Sequence, residues 1–263
     1  MSVSDATKTH PPSRFGSEPL PVTSSVGTSV LGWLALASLA ITAVLGLFVS
    51  PRDVVQGDAV RFLYLHVPVI WVAYGCFIAC ATASAWFLWK AKSRPDKGRH
   101  LDRIAGASAE VGVVFTALAL ATGAMWGRIT WGVYWQWDAR LTMTAMMFVS
   151  FLGYLALRRL PTEPAVRSKR AAIAALVSSV NLPLVHFSVD WWRTLHQEAS
   201  LGVDDAQITG DMFAILGFAS VAFIVAGAWL VVHRYRVIRL EEIRDEEGLE
   251  LAIAARRAEA GVG

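Results

Sequence analysis

Apolar residues in this chain come in long runs, and the polar residues gather in the intervals between them. An outer-membrane barrel would show short alternating segments instead. Runs near twenty residues match a bilayer when wound as helix. The pattern predicts six spans, at about 29–49, 66–89, 104–126, 142–158, 171–187 and 211–233. The fourth and fifth are near the lower limit for crossing roughly 30 Å of hydrocarbon. Residues 1–28 are rich in Pro, Ser, Thr and Gly and have no apolar period, which predicts a disordered tail. No basic-then-apolar signal opens the sequence, so the first run reads as an uncleaved span. Past the last span, 238–260 carries Leu and Ile at helical spacing among Glu, Arg and Ala. That predicts a cytoplasmic helix within a terminal segment, 234–263. The expected fold is all-α: a polytopic membrane protein with one six-helix membrane domain, 29–233, and an aromatic segment at 127–141.

Composition agrees with this and adds an orientation. Of 263 residues only 17% are charged, and mean hydropathy is +0.46. The formal charge of +3 is small, and its distribution says more than its size. Lys90, Lys92, Arg94, Lys97, Arg99 and Arg103 fall in one connection. Arg158, Arg159, Arg167, Lys169 and Arg170 fall in another, and Arg234, Arg236 and Arg239 follow the last span. These segments alternate correctly for one side, and the positive-inside rule makes that side cytoplasmic, together with both termini. Clusters placed this way read as topology signals and not as a nucleic-acid patch. The opposite loops, 50–65, 127–141 and 188–210, are poorer in Lys and Arg, and the last holds Asp190, Glu198, Asp204 and Asp205. Cys76 and Cys80 lie one helical turn apart in an apolar run with no further ligand nearby, which predicts small core residues. No C-x-x-C-H motif for covalent haem attachment occurs.

The candidate chemistry lies in two places. Trp131 to Thr142 reads W-G-V-Y-W-Q-W-D-A-R-L-T, with Trp131, Tyr134, Trp135 and Trp137 followed at once by Asp138 and Arg140. One reading is an aromatic belt at the membrane–water boundary. The other is a platform for a flat, conjugated, charged ligand. The second place is a pair of histidines. His66, in L-Y-L-H-V-P, opens span two, and His186, in N-L-P-L-V-H, closes span five. The topology puts both at one depth, on the side of the aromatic stretch. Ionisable groups at membrane depth are costly and mark function. Two neutral imidazoles can ligate a porphyrin iron from both sides. Zinc would want three or four protein ligands, and His196 could supply a third, so zinc is weakened and not removed. Pro68 and Pro183 flank the two histidines and either restrain their angles or mark helix boundaries.

At these residues the sequence resembles the haem-handling membrane proteins with the tryptophan-rich WWD domain. The pattern W-G-x-x-W-x-W-D is met by Trp131, Gly132, Trp135, Trp137 and Asp138. Within that superfamily it is similar to the haem exporter protein C family of cytochrome c maturation. The continuation Asp138 to Thr142, H-V-P at His66, N-L-P at Asn181 and H-x-S-V-x-W-W-x-x-L-H-Q from His186 to Gln197 carry that resemblance. Tyr134 stands where the family often has Trp.

The resemblance implies a periplasmic WWD segment and two axial haem ligands, matching His66 and His186, with haem b bound as cargo. It implies delivery to a periplasmic haem chaperone, and work beside ATP-binding-cassette subunits and a small single-span subunit in the bacterial inner membrane. Haem is then expected against a Trp131–Trp137 platform. Arg140 and Arg128 would meet the propionates, and Asp138 would hold Arg140 or an indole N–H. No P-loop or G-x-S-x-G motif is present, so no enzyme is expected. The alternative is a transporter with a path through its own spans, for which Glu110 in span three is the one well-placed polar group.

Overall fold

Residues 25–90, 93–196, 208 and 210–259 are described in the computed structural model. Among them, helices account for every element. They are α1 (Val26–Val44), α2 (Leu63–Lys90), α3 (Pro95–Thr130), α4 (Ala139–Arg158), α5 (Pro164–Ser179), α6 (Asn181–Trp191) and α7 (Gly210–Glu259). Six helical segments among these residues are long and apolar enough to cross a membrane, so the protein is an all-α, multi-pass membrane protein. Most of the expected tail, 1–24, lies outside the described residues, as do Glu198, Asp204 and Asp205. Residues 25–28, expected in that tail, belong to α1 and its cap, where the Ser25 side chain accepts from Thr28 N.

The spans sit where the apolar runs predict, with three differences that have local causes. α3 is far longer than 104–126. Pro95 occupies its first turn, where a missing N–H costs nothing, so the basic residues 97–103 are helical. At its other end α3 takes residues 127–130 from the expected loop. The fifth crossing is two helices, α5 and α6, parted at Val180. Pro183 has no N–H to give the Ser179 carbonyl, and its ring crowds that carbonyl. Asn181 Nδ2 donates to Ser178 O at 3.1 Å and satisfies a neighbouring acceptor left by the break. Finally, the sixth span and the expected cytoplasmic helix are one helix, α7, of 50 residues. From Ala228 to Glu247 nothing interrupts it, because neither Gly nor Pro occurs there.

The core lies between α2, α3, α4 and α5. Phe77 stacks on Phe151, with centroids 3.7 Å apart and planes within 8°, and Cys80, Met147, Tyr154 and Ala175 close around them. Gly112 is what admits Phe77 to α3, since a Cβ there would lie 2.7 Å from Phe77 Cε1. Cys76 and Cys80 are free thiols buried in this packing, as expected of core residues. α1 packs on α7 through Thr28, Ala35 and Thr42, and Trp229 Nε1 donates to Thr28 O at 3.1 Å.

Ion pairs stitch the basic end of the bundle. Arg158 on α4 holds both oxygens of Asp102 on α3, at 2.6 and 3.1 Å. Arg103 meets Glu242 on α7 at 2.7 Å. Glu110 is gripped by the Arg234 guanidinium, which also bonds Glu241 at 3.1 Å. Glu110 therefore ties α3 to α7 and is neutralised in place. The Arg158–Asp102 pair, the deepest of these, is costly to break, because the surviving charge is stranded away from water.

Candidate functional site

The tryptophan end of the bundle is where the site is built. The chain leaves α1 through a single wide turn, Leu45–Val49, and re-enters α2 through a tight one, Asp58–Phe62. Between them Asp53 Oδ1 accepts from Val55 N and Gln56 N at 2.8 and 2.6 Å. This turn closes at Gly57, whose φ of 57° suits a residue without a Cβ. It presents Gln56, whose Oε1 accepts from Trp126 Nε1 at 2.9 Å, so the loop is latched to α3.

After α3 the aromatic segment turns back over the bundle. Trp131 N donates to Gly127 O at 2.7 Å. Gly127 leaves space for the Trp131 ring, which would lie 3.0 Å from a Cβ there. Gly132 takes the left-handed turn with φ 78°. Asp138 then caps α4, its Oδ1 accepting from Leu141 N at 2.9 Å. The other carboxylate oxygen accepts from Thr194 Oγ1 at 2.6 Å and Leu195 N at 3.0 Å. The expectation that Asp138 holds Arg140 or an indole is thus corrected. It fastens the aromatic segment to the loop after α6, the loop that carries His196.

These elements enclose a cavity of about 440 Å³, inside the range typical of small-molecule sites. α2 contributes His66, Trp71 and Tyr74, α3 contributes Gly123, Trp126 and Gly127, and the aromatic segment contributes Trp131 and Trp135. Arg140 and Thr144 enter from α4, His186 and Asp190 from α6, and His196 from the loop beyond. The two histidines 120 positions apart in sequence therefore share one chamber with four indoles and a guanidinium.

His66 is tightly placed. Its Nδ1 is 3.1 Å from Thr122 Oγ1, and its ring meets the Trp126 indole edge-on at 5.9 Å. A Cβ on Gly123 would stand 2.8 Å from its Cε1, so glycine is what lets the ring lie against α3. Pro68 is inside α2 and fully buried, so it marks no boundary. Pro183 does mark one, the start of α6. His186 on that short helix lies against the Phe187 ring at 4.8 Å, nearly perpendicular. Arg140 occupies the first turn of α4, where the helix's own positive end disfavours a cation.

Three expected residues do not face the chamber. Trp137 is 80% exposed and touches Trp135 edge-on at 5.5 Å, with planes at 81°. The indoles thus do not form one flat sheet, because consecutive rings turn across each other. Arg128 donates to Gly132 O and stands 5.6 Å from the Tyr134 ring centroid, so it braces the turn. Asp138 is the tie described above. Conversely, Trp71, Tyr74 and Trp126 line the chamber and were not singled out from the sequence, nor was Thr122, which meets His66. The signal existed in part: Ala119, Gly123, Trp126 and Thr130 fall on one face of α3 at three- and four-residue spacing.

Trp135 Nε1 is buried and has no hydrogen-bond partner among the described residues. An orphaned indole N–H and the Arg140 guanidinium lining one cavity are donors that fit an anionic group.

The family model described as Heme exporter protein C matches residues 17–249. A protein of that name in Bradyrhizobium diazoefficiens is 42% identical over 181 residues, covering 65% of this chain and 64% of the relative. The match thus spans a little under two thirds of that relative. The Heme exporter protein C of Haemophilus influenzae is 38% identical over 218 residues, covering 81% of this chain and 85% of the relative. That of Escherichia coli is 35% identical over 193 residues, covering 71% and 76%.

Proposed function

The chain belongs to the Heme exporter protein C family, and on that premise we propose that it handles haem for c-type cytochrome biogenesis by holding it between His66 and His186. The cargo is haem b, and each imidazole gives one ring nitrogen to the iron. Trp131 and Trp135 wall the porphyrin, where indole stacking contributes about 0.5–1.5 kcal/mol per ring beyond burial. Arg140 and the free N–H of Trp135 meet a propionate carboxylate. Asp138 organises the site from behind, while Trp137 and Arg128 belong to its outer rim and face the recipient.

The recipient is a periplasmic haem chaperone, with ATP-binding-cassette subunits and a small single-span subunit as companions. The protein sits in the bacterial inner membrane with both termini cytoplasmic and the cavity outward. The distribution of Lys and Arg supports that orientation. It acts as a scaffold and carrier and not as an enzyme.

The observation that carries this reading is that one imidazole from α2 and one from α6 line the same aromatic chamber. Pyridine-haem quantitation of the purified protein tests it. Near-stoichiometric haem is expected in the wild type, with a several-fold loss in His66→Ala and in His186→Ala. Unchanged haem in both variants would overturn the assignment.

A further inference from the structure

The two imidazoles are not held alike, and the difference traces to Thr122. Its Oγ1 lies 2.8 Å from Leu118 O and 3.2 Å from Ala119 O. A hydroxyl has one hydrogen and two lone pairs. With that hydrogen given to a carbonyl one turn back, the oxygen is left to accept. The group facing it is His66 Nδ1, 3.1 Å away. A neutral imidazole that donates from Nδ1 keeps its lone pair on Nε2. Thr122 is buried and His66 is half-buried beside it, so the pairing is partly withdrawn from water. Trp126 and Gly123, also on α3, both lie against the same ring. His186 lies against Phe187, and no hydrogen bond to its ring is present among the described residues.

We propose that Thr122 is a positioning residue that fixes His66 in the tautomer and orientation of an iron ligand. The lock makes His66 the retained imidazole and leaves His186 the exchangeable one when the cargo departs. The inference rests on the haem-holding reading above. In the exchange, one ring nitrogen of His186 withdraws its lone pair from iron and a neutral nitrogen donor of the recipient supplies its own. The iron's oxidation state does not change and no proton moves. Partners that orient a ligating histidine matter at the level of roughly 10–100-fold in affinity.

Two arms test this, and the first needs no haem. Nitrogen NMR of isotope-labelled histidine in the cargo-free protein reads the tautomer directly. The wild type and Thr122→Ser are expected to show His66 protonated on Nδ1, and Thr122→Val a mixture. Protonation on Nε2 in the wild type, or no change in Thr122→Val, overturns the lock. Because Thr122→Ser restores the hydroxyl alone, its recovery separates positioning from general damage to the fold. The second arm compares haem affinity. Thr122→Val should bind roughly 10-fold more weakly, and His186→Ala should retain more haem than His66→Ala. Equal or reversed retention overturns the asymmetry. If the wild type carries no haem the functional reading falls, while the NMR arm still decides the role of Thr122.

Discussion

At Gly123 a hydrogen atom in place of a methyl decides how close an imidazole comes to α3. A Cβ there would sit 2.8 Å from His66 Cε1, and the ring cannot swing away without losing Thr122. Gly123→Ala therefore opposes two effects. Helix propensity gains up to about 1 kcal/mol, while the displaced ring strains the site. The expected outcome is a melting temperature little changed and haem content down several-fold, read by thermal denaturation and haem quantitation on the same sample. Retained haem would show that His66 tolerates the shift. His66 and His186 were legible in the sequence because ionisable groups stand out in apolar runs. Gly123 and Thr122 were not, because small and hydroxylic residues are ordinary in membrane helices. Their meaning comes from a pairing 56 positions apart, which no local period reports.

Between elements, Asp138 does the joining. One oxygen caps α4 and the other holds Thr194 and Leu195, so the aromatic segment, α4 and the His196 loop move together. Loss of an N-cap costs about 0.5–2 kcal/mol, and the two bonds to the far loop add to it. Asp138→Ala should lower thermal stability by at least that cap contribution and loosen the loop. Hydrogen exchange at the Leu141 and Leu195 amides would report it, with faster exchange at both expected. Protection unchanged at Leu195 would contradict the tie. Sequence reasoning placed Asp138 in the right segment and gave it the wrong partner, because the loop it reaches is distant along the chain. The break between α5 and α6 was half visible. Pro183 announced an interruption, but 171–187 holds no Asp, Glu, Lys or Arg and so read as one span.

Over the whole molecule the two ends of the bundle do different work. The basic end is pinned by carboxylate–guanidinium pairs linking α3 to α4 and to α7. The tryptophan end is held by a cap, an indole–amide bond and close glycine contacts that surround a chamber. Six spans were readable from hydropathy alone, since a helix must be apolar over that length to cross hydrocarbon and soluble helices rarely are. The continuity of α7 beyond its span was not, because hydropathy falls at Arg234 while helical propensity persists. In the function proposed, holding the cargo depends on two imidazoles from separate helices binding one iron. Electron paramagnetic resonance of the purified ferric protein tests that most directly. A low-spin signal of two axial imidazoles is expected in the wild type and should be lost in His66→Ala and in His186→Ala. The same low-spin signal surviving in either variant would contradict it.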